Sequence, residues 1–139
     1  MQLVDIEAAL TAWLSSRFPG IRVCTELPAQ LVEVIGDAGG VVRVTRIGGG
    51  TSTANPALDT PTVDVDCFGD TRIDARALAV QVQSALLLDL PGSDIAGGSV
   101  PKHGVTQTLG PAWRPYDDTD VRQIGATYSI KTRARSSGG

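Results

Sequence analysis

The order of hydrophobic periodicities predicts an α+β domain: a mostly antiparallel sheet of 4–5 strands with two helices packed on one face. Three observations carry this. Two stretches, one at the start and one mid-chain, repeat apolar residues at helical spacing. Several shorter stretches alternate apolar and polar residues, as half-buried strands do. The strands follow one another through Gly- and Pro-rich connections, which suit hairpins. The order reads α-β-β-β-α-β-β, without an internal repeat.

Residues 3–17 read as the first helix, with Leu3, Ile6, Leu10, Trp13 and Leu14 in one stripe and Pro19-Gly20 ending it. Ile21 to Leu27 read as a strand. Residues 28–40 hold Pro28, Gly36, Asp37, Gly39 and Gly40 and read as a turn-rich connection. Val41 to Ile47 form the second strand, with Val42 and Val44 on one face and Arg43 and Thr45 on the other. A long polar loop at 48–61 leads to a third strand, Thr62 to Phe68, in which Val63, Val65 and Cys67 alternate with Asp64, Asp66 and Phe68. Pairing of these two strands sets Arg43 on the face of Asp64 and Asp66. Asp70 or Thr71 caps the second helix, which runs to about Asp89, and Thr71 with Asp74 has capping-box spacing. Residues 92–101 read as a Gly-rich loop, 102–109 as a fourth strand, 110–120 as another loop and Val121 to Arg133 as the last strand. The domain therefore spans 1–133, with 134–139 a flexible C-terminal tail.

At 139 residues, 42% of them hydrophobic, the chain suits one domain with a core of its own. With aromatics at 4%, that core must be built from Val, Leu, Ile and Ala. A net charge of −3 argues against a general nucleic-acid binder. Cys24 and Cys67 sit in apolar runs and read as reduced core thiols. The first residues lack a basic, signal-like segment, and no run approaches the roughly 18 apolar residues of a membrane span, so a cytoplasmic protein is expected.

No constellation carries chemistry: catalytic, cofactor-binding and metal sites are all expected to be absent. Gly48-Gly49-Gly50-Thr51-Ser52 lacks the Gly-Lys-Ser/Thr of a P-loop, and Thr53 stands where a dinucleotide fingerprint needs its third glycine. Asp64 and Asp66 have no nearby His and have Arg43 as a partner, which favours an ion pair over a metal. Asp117, Asp118 and Asp120 begin like a calcium loop but lack its glycine and closing glutamate. His103 is the only histidine, without ligands at metal spacing. Trp113-Arg114-Pro115-Tyr116 is an aromatic-basic cluster, read as a loop anchored by packing.

One feature speaks about function. The second helix is apolar on two sides. Ala75, Leu78, Ala79, Val82, Ala85 and Leu86 form one face; Ile73, Ala77, Val80, Leu87 and Leu88 form another. Arg72, Arg76 and Gln83 on one side, and Asp74 and Gln81 on the other, separate them. Two such faces need two covers. Either the first helix covers the second face, or a neighbouring subunit does, with Ile73, Ala77, Val80 and Leu87 as the contact.

The whole pattern resembles the tail terminator (tail completion) proteins of long-tailed bacteriophages. The resemblance rests on the opening Val4-Asp5-Ile6-Glu7-Ala8-Ala9-Leu10, the strand Pro61-Thr62-Val63-Asp64-Val65-Asp66-Cys67-Phe68-Gly69, and the helix Asp74-Ala75-Arg76-Ala77-Leu78-Ala79-Val80-Gln81-Val82 that follows at once. A proline-rich turn, Gly110 to Asp118, then leads into a strand beginning Val121-Arg122. The resemblance implies a non-enzymatic virion protein without cofactors. It would form a ring with itself, hexameric in related proteins, at the head-proximal end of the tail, assembled in the host cytoplasm. Its partners would be the tail tube protein and a head-closure or neck protein, with no membrane and no sequence-specific nucleic acid. Tube or neck contacts would fall on the loop residues Gly49, Thr51, Thr53, Asn55 and Leu58 and on Arg133 and Arg135. The alternatives are a head-closure, neck or minor tail protein of the same particle, or a small non-viral protein-binding module.

Overall fold

The computed structural model describes residues 2–51, 57–114 and 121–135. Asp5 caps the first helix, α1 (Ile6–Arg17), its carboxylate accepting the Ala8 N–H at 3.3 Å. The cap starts the helix three residues later than the apolar spacing suggests, and Leu3 stays exposed. Ile6, Ala9, Leu10 and Leu14 are its buried face.

The sheet is mixed. Strands β2 (Val41–Thr51), β3 (Leu58–Gly69), β6 (Val105–Arg114) and β7 (Arg122–Ile130) run in the order β2-β3-β7-β6, antiparallel throughout. Strand β1 (Arg22–Cys24) lies parallel to β2 at one edge and is shorter than the expected Ile21 to Leu27. Beyond a break at Lys131, β8 (Thr132–Ala134) continues the line of β7, pairing with the start of β3 and with β5 of a small hairpin, β4 (Asp94–Ile95) and β5 (Gly98–Ser99).

The expected 4–5 strands and two helices therefore give way to a curled mixed sheet and three helices. The additional helix, α2 (Leu31–Ala38), lies inside the stretch 28–40 expected to be a turn-rich connection. Its glycines mislead because Gly39 is the helix stop: at φ 82 it donates its N–H to the Ile35 carbonyl at 2.8 Å. Leu31 and Ile35, one turn apart, bury against Val41, Phe68 and Val121 on one face of the sheet. The opposite face carries Val42, Val44, Val63, Val65, Cys67, Ile124, Ala126, Tyr128 and Ile130, and both long helices pack there.

The polar loop expected at 48–61 is largely the far end of a β2–β3 hairpin, continuing to Thr51 and resuming at Leu58. The loop expected at 110–120 is strand as far as Arg114; β6 accommodates Pro111 through register shifts on either side of Leu109. The last strand reaches past the expected start of the tail: the Ala134 N–H donates to the Ala57 carbonyl at 2.8 Å and that of Arg135 to Gly97 at 3.0 Å.

Candidate functional site

The third helix, α3 (Arg72–Ser84), follows β3 after only Asp70 and Thr71. Thr71 caps it, its hydroxyl accepting the Asp74 N–H at 3.1 Å. Ala75, Leu78, Ala79 and Val82 point into the main core. The second apolar face stays outside: Ile73 is 80% exposed, Val80 47%, and Ala77 is exposed between them. Among the described residues α1 does not cover this face, because α1 packs over β1 and β2 while α3 packs over β3, β7 and β6.

A π-helical turn (Ala85–Asp89) continues α3. It widens the spacing, so that Leu90 donates its N–H to Ala85 at 2.9 Å and joins the core with Leu86. That rephasing turns Leu87 partly against the core and leaves Leu88 77% exposed as the last apolar residue of the outer face. Uniform helical spacing could not show this. At the other end, the Arg72 guanidinium stacks over Trp113 of β6, 5.4 Å from the ring centroid, and Trp113 itself is 41% exposed. Gln83 donates to Gln107 of β6 at 2.7 Å.

The residues expected to meet a tail tube or neck protein fall into three groups. Gly49, Thr51 and Leu58 belong to the hairpin: Gly49 faces Pro61, Thr51 faces Asp59, and Leu58 faces Arg133 of β8. Thus Leu58 and Arg133 are neighbours. Arg135 lines a cavity of about 380 Å³ with Leu3, Asp5 and Gly97. Thr53 and Asn55 lie outside the described residues. The hairpin arm is braced on the helix side of the sheet. Arg46 makes two hydrogen bonds to the buried carboxylate of Asp59, at 2.9 and 3.3 Å, and the Thr51 hydroxyl adds a third at 3.1 Å. Gly49, at φ 92, sits where a Cβ would run into the Thr60–Pro61 backbone.

The opposite face of the sheet holds the paired aspartates. Asp66 is buried and accepts from Arg43 at 3.1 Å, Arg114 at 2.9 Å and Gln123 at 3.0 Å. Asp64 accepts from the Thr127 hydroxyl and lies 3.5 Å from Arg114. The expected Arg43 pairing is present, and Arg114, Gln123 and Thr127 complete a network that sequence spacing does not bring together. Trp113 and Arg114, neighbours in the aromatic-basic cluster, face opposite sides of the sheet. Both carboxylates are occupied by cations and amide or hydroxyl donors, an arrangement that braces strands. Among the described residues no group of three or more His, Cys, Asp or Glu could hold a metal. His103 is exposed at a turn. Asp117, Asp118 and Asp120 lie outside the described residues. Both cysteines are free; burial pushes the Cys67 thiol strongly up, and the half-buried Cys24 thiol up as well. No described helix is long and apolar enough to cross a membrane.

A family model described as "Phage tail termination protein" matches residues 2–138. Among solved structures, a chain from the virion of a native gene transfer agent particle is similar in fold. The TM-score is 0.56 and the identity 18%, over 94% of this chain and 98% of that one. No curated protein matches in sequence.

Proposed function

The chain belongs to the phage tail termination protein family, and from that membership we propose that its copies close into a ring at the head-proximal end of a phage tail. The ring ends growth of the tube and presents a surface to a head-closure or neck protein. It is a structural protein of the tail, and the proposed work needs no catalysis and no cofactor. The observation that carries the ring is the outer face of α3. Ile73, Ala77, Val80 and Leu88 form an apolar strip that the described part of the chain leaves in water, where a lone subunit gains nothing from it.

The braced β2–β3 hairpin and the neighbouring Leu58–Arg133 pair are the proposed contacts with the tube or neck. Arg46, Asp59 and Thr51 hold the arm's backbone in place, so contact there involves little ordering of the paired residues. Adding the purified chain to polymerising tube protein tests the function. Short tubes with a ring of density at one end are expected in electron micrographs. Tubes of unchanged length with bare ends would contradict the proposal.

A further inference from the structure

We infer that, in the ring proposed above, the outer face of α3 of one copy packs into the groove between α1 and β1 of the next. The inference rests on that ring reading and adds the partner surface. A closed ring needs two different, complementary patches on each subunit; a patch that met its own twin would stop at a dimer. The fold supplies two such patches well apart on the molecule. α3 lies over β3 and β7 and reaches β6, and α1 lies over β2 and the edge strand β1. Both helices occupy the same layer over the same sheet face; Ile73, Ala77 and Val80 stand opposite the buried Ala75, Leu78 and Val82 and point away from that sheet, so a neighbouring copy meets α3 from its outer side.

Strand-to-strand joining is the rival geometry, and both edges resist it. β1 offers three residues. β6 carries Pro111 and two register shifts, the devices that blunt an exposed edge. The groove, by contrast, has the volume for side chains, about 570 Å³. Its lining joins apolar Ala8, Ala12 and Val23 to the carboxylates of Asp5, Glu7 and Glu26, with Arg22 as the lone cation in it.

The charges match across this contact. Beside the apolar strip of α3 stand Arg72 and Arg76, both exposed, and Arg76 has no ion pair among the described residues. Glu26 is exposed, and it too has no ion pair among the described residues. Apolar Ile73 and Val80 supply burial, and the opposite charges set orientation.

Two double variants test the assignment. One, Ile73→Asp with Arg76→Glu, spoils the α3 face; the other, Ala12→Arg with Glu26→Arg, spoils the groove. All four side chains are exposed, so both chains should keep the wild-type circular dichroism and melting temperature. By native mass spectrometry each variant alone should be monomeric where the wild type is oligomeric. An equimolar mixture should give one-to-one dimers and nothing larger, through the single intact pair of faces. Dimers of the groove variant alone, or a mixture that stays monomeric, would overturn the assignment while leaving self-assembly standing. A wild type monomeric at every concentration would instead defeat the ring reading and the assignment with it.

Discussion

Asp66 organises the outer sheet face by holding three donors from three strands: Arg43, Arg114 and Gln123. Its carboxylate is 3% exposed, but the two guanidiniums are 29% and 26% exposed, so solvent screens what they lose when it is removed. Asp66→Ala should cost about 2–3 kcal/mol in urea unfolding, below the range for fully buried pairs. Gly125 makes the cluster possible: a Cβ there would collide with the Asp66 carboxylate and the Arg114 guanidinium. Gly125→Ala should therefore destabilise to a similar degree and is not additive with Asp66→Ala. Cys67 and Tyr128 give the chain an alkaline limit. Burial raises both above their ordinary values, so the unfolded chain releases these protons first. Stability should hold below about pH 9 and fall as pH rises beyond it, each group contributing up to about 1.4 kcal/mol per pH unit. Cys67→Ala should soften that fall in denaturant titrations at successive pH values. A steeper loss on the acid side of neutrality than on the alkaline side would count against this.

Among the elements, Thr71→Ala should cost about 1 kcal/mol in thermal unfolding, because it removes the acceptor for the Asp74 N–H at the start of α3. That cap, both long helices and the alternation of β2 and β3 were legible in the sequence, since each rests on neighbours within a few residues. What was not legible depends on distant partners. α2 is eight residues long and is held where Phe68 and Val121 meet Leu31 and Ile35; Leu31, Val34, Ile35 and Ala38 stand at helical spacing, but Pro28, Gly36 and Gly39-Gly40 around them read as turns. The hairpin arm hid behind Gly48-Gly49-Gly50, which reads as loop but pairs with residues 60–62 across a bulge. The fourth strand was expected at 102–109, and only its end, residues 110–114, hid behind Gly110 and Pro111. The arm's anchoring decides which deletion is informative. Removing 50–59 would take Asp59 from beneath Arg46. Replacing only residues 52–56 by Asn-Gly should leave the melting temperature within a few degrees and reduce tail joining; normal numbers of infectious particles would exclude the arm from that contact.

Taken as a molecule, the subunit has a closed core on its helix side and an unsatisfied exterior. α1 and α3 seal the sheet face between them, and among the described residues the ion pairs on the other face join strand to strand. The apolar strip of α3 is left over, and its exposure is the reason a protein of the tail termination family should not remain a single subunit. The amphipathic pattern announced that strip from the sequence; the π-helical turn, which moves Leu88 rather than Leu87 to its end, did not. Sedimentation velocity over a wide concentration range, comparing the wild type with Ile73→Asp/Val80→Asp, tests this most directly. The wild type should sediment as a closed oligomer of fixed mass and the variant as a folded monomer. A wild type that sediments as a monomer throughout, or a variant that assembles just as well, would contradict it.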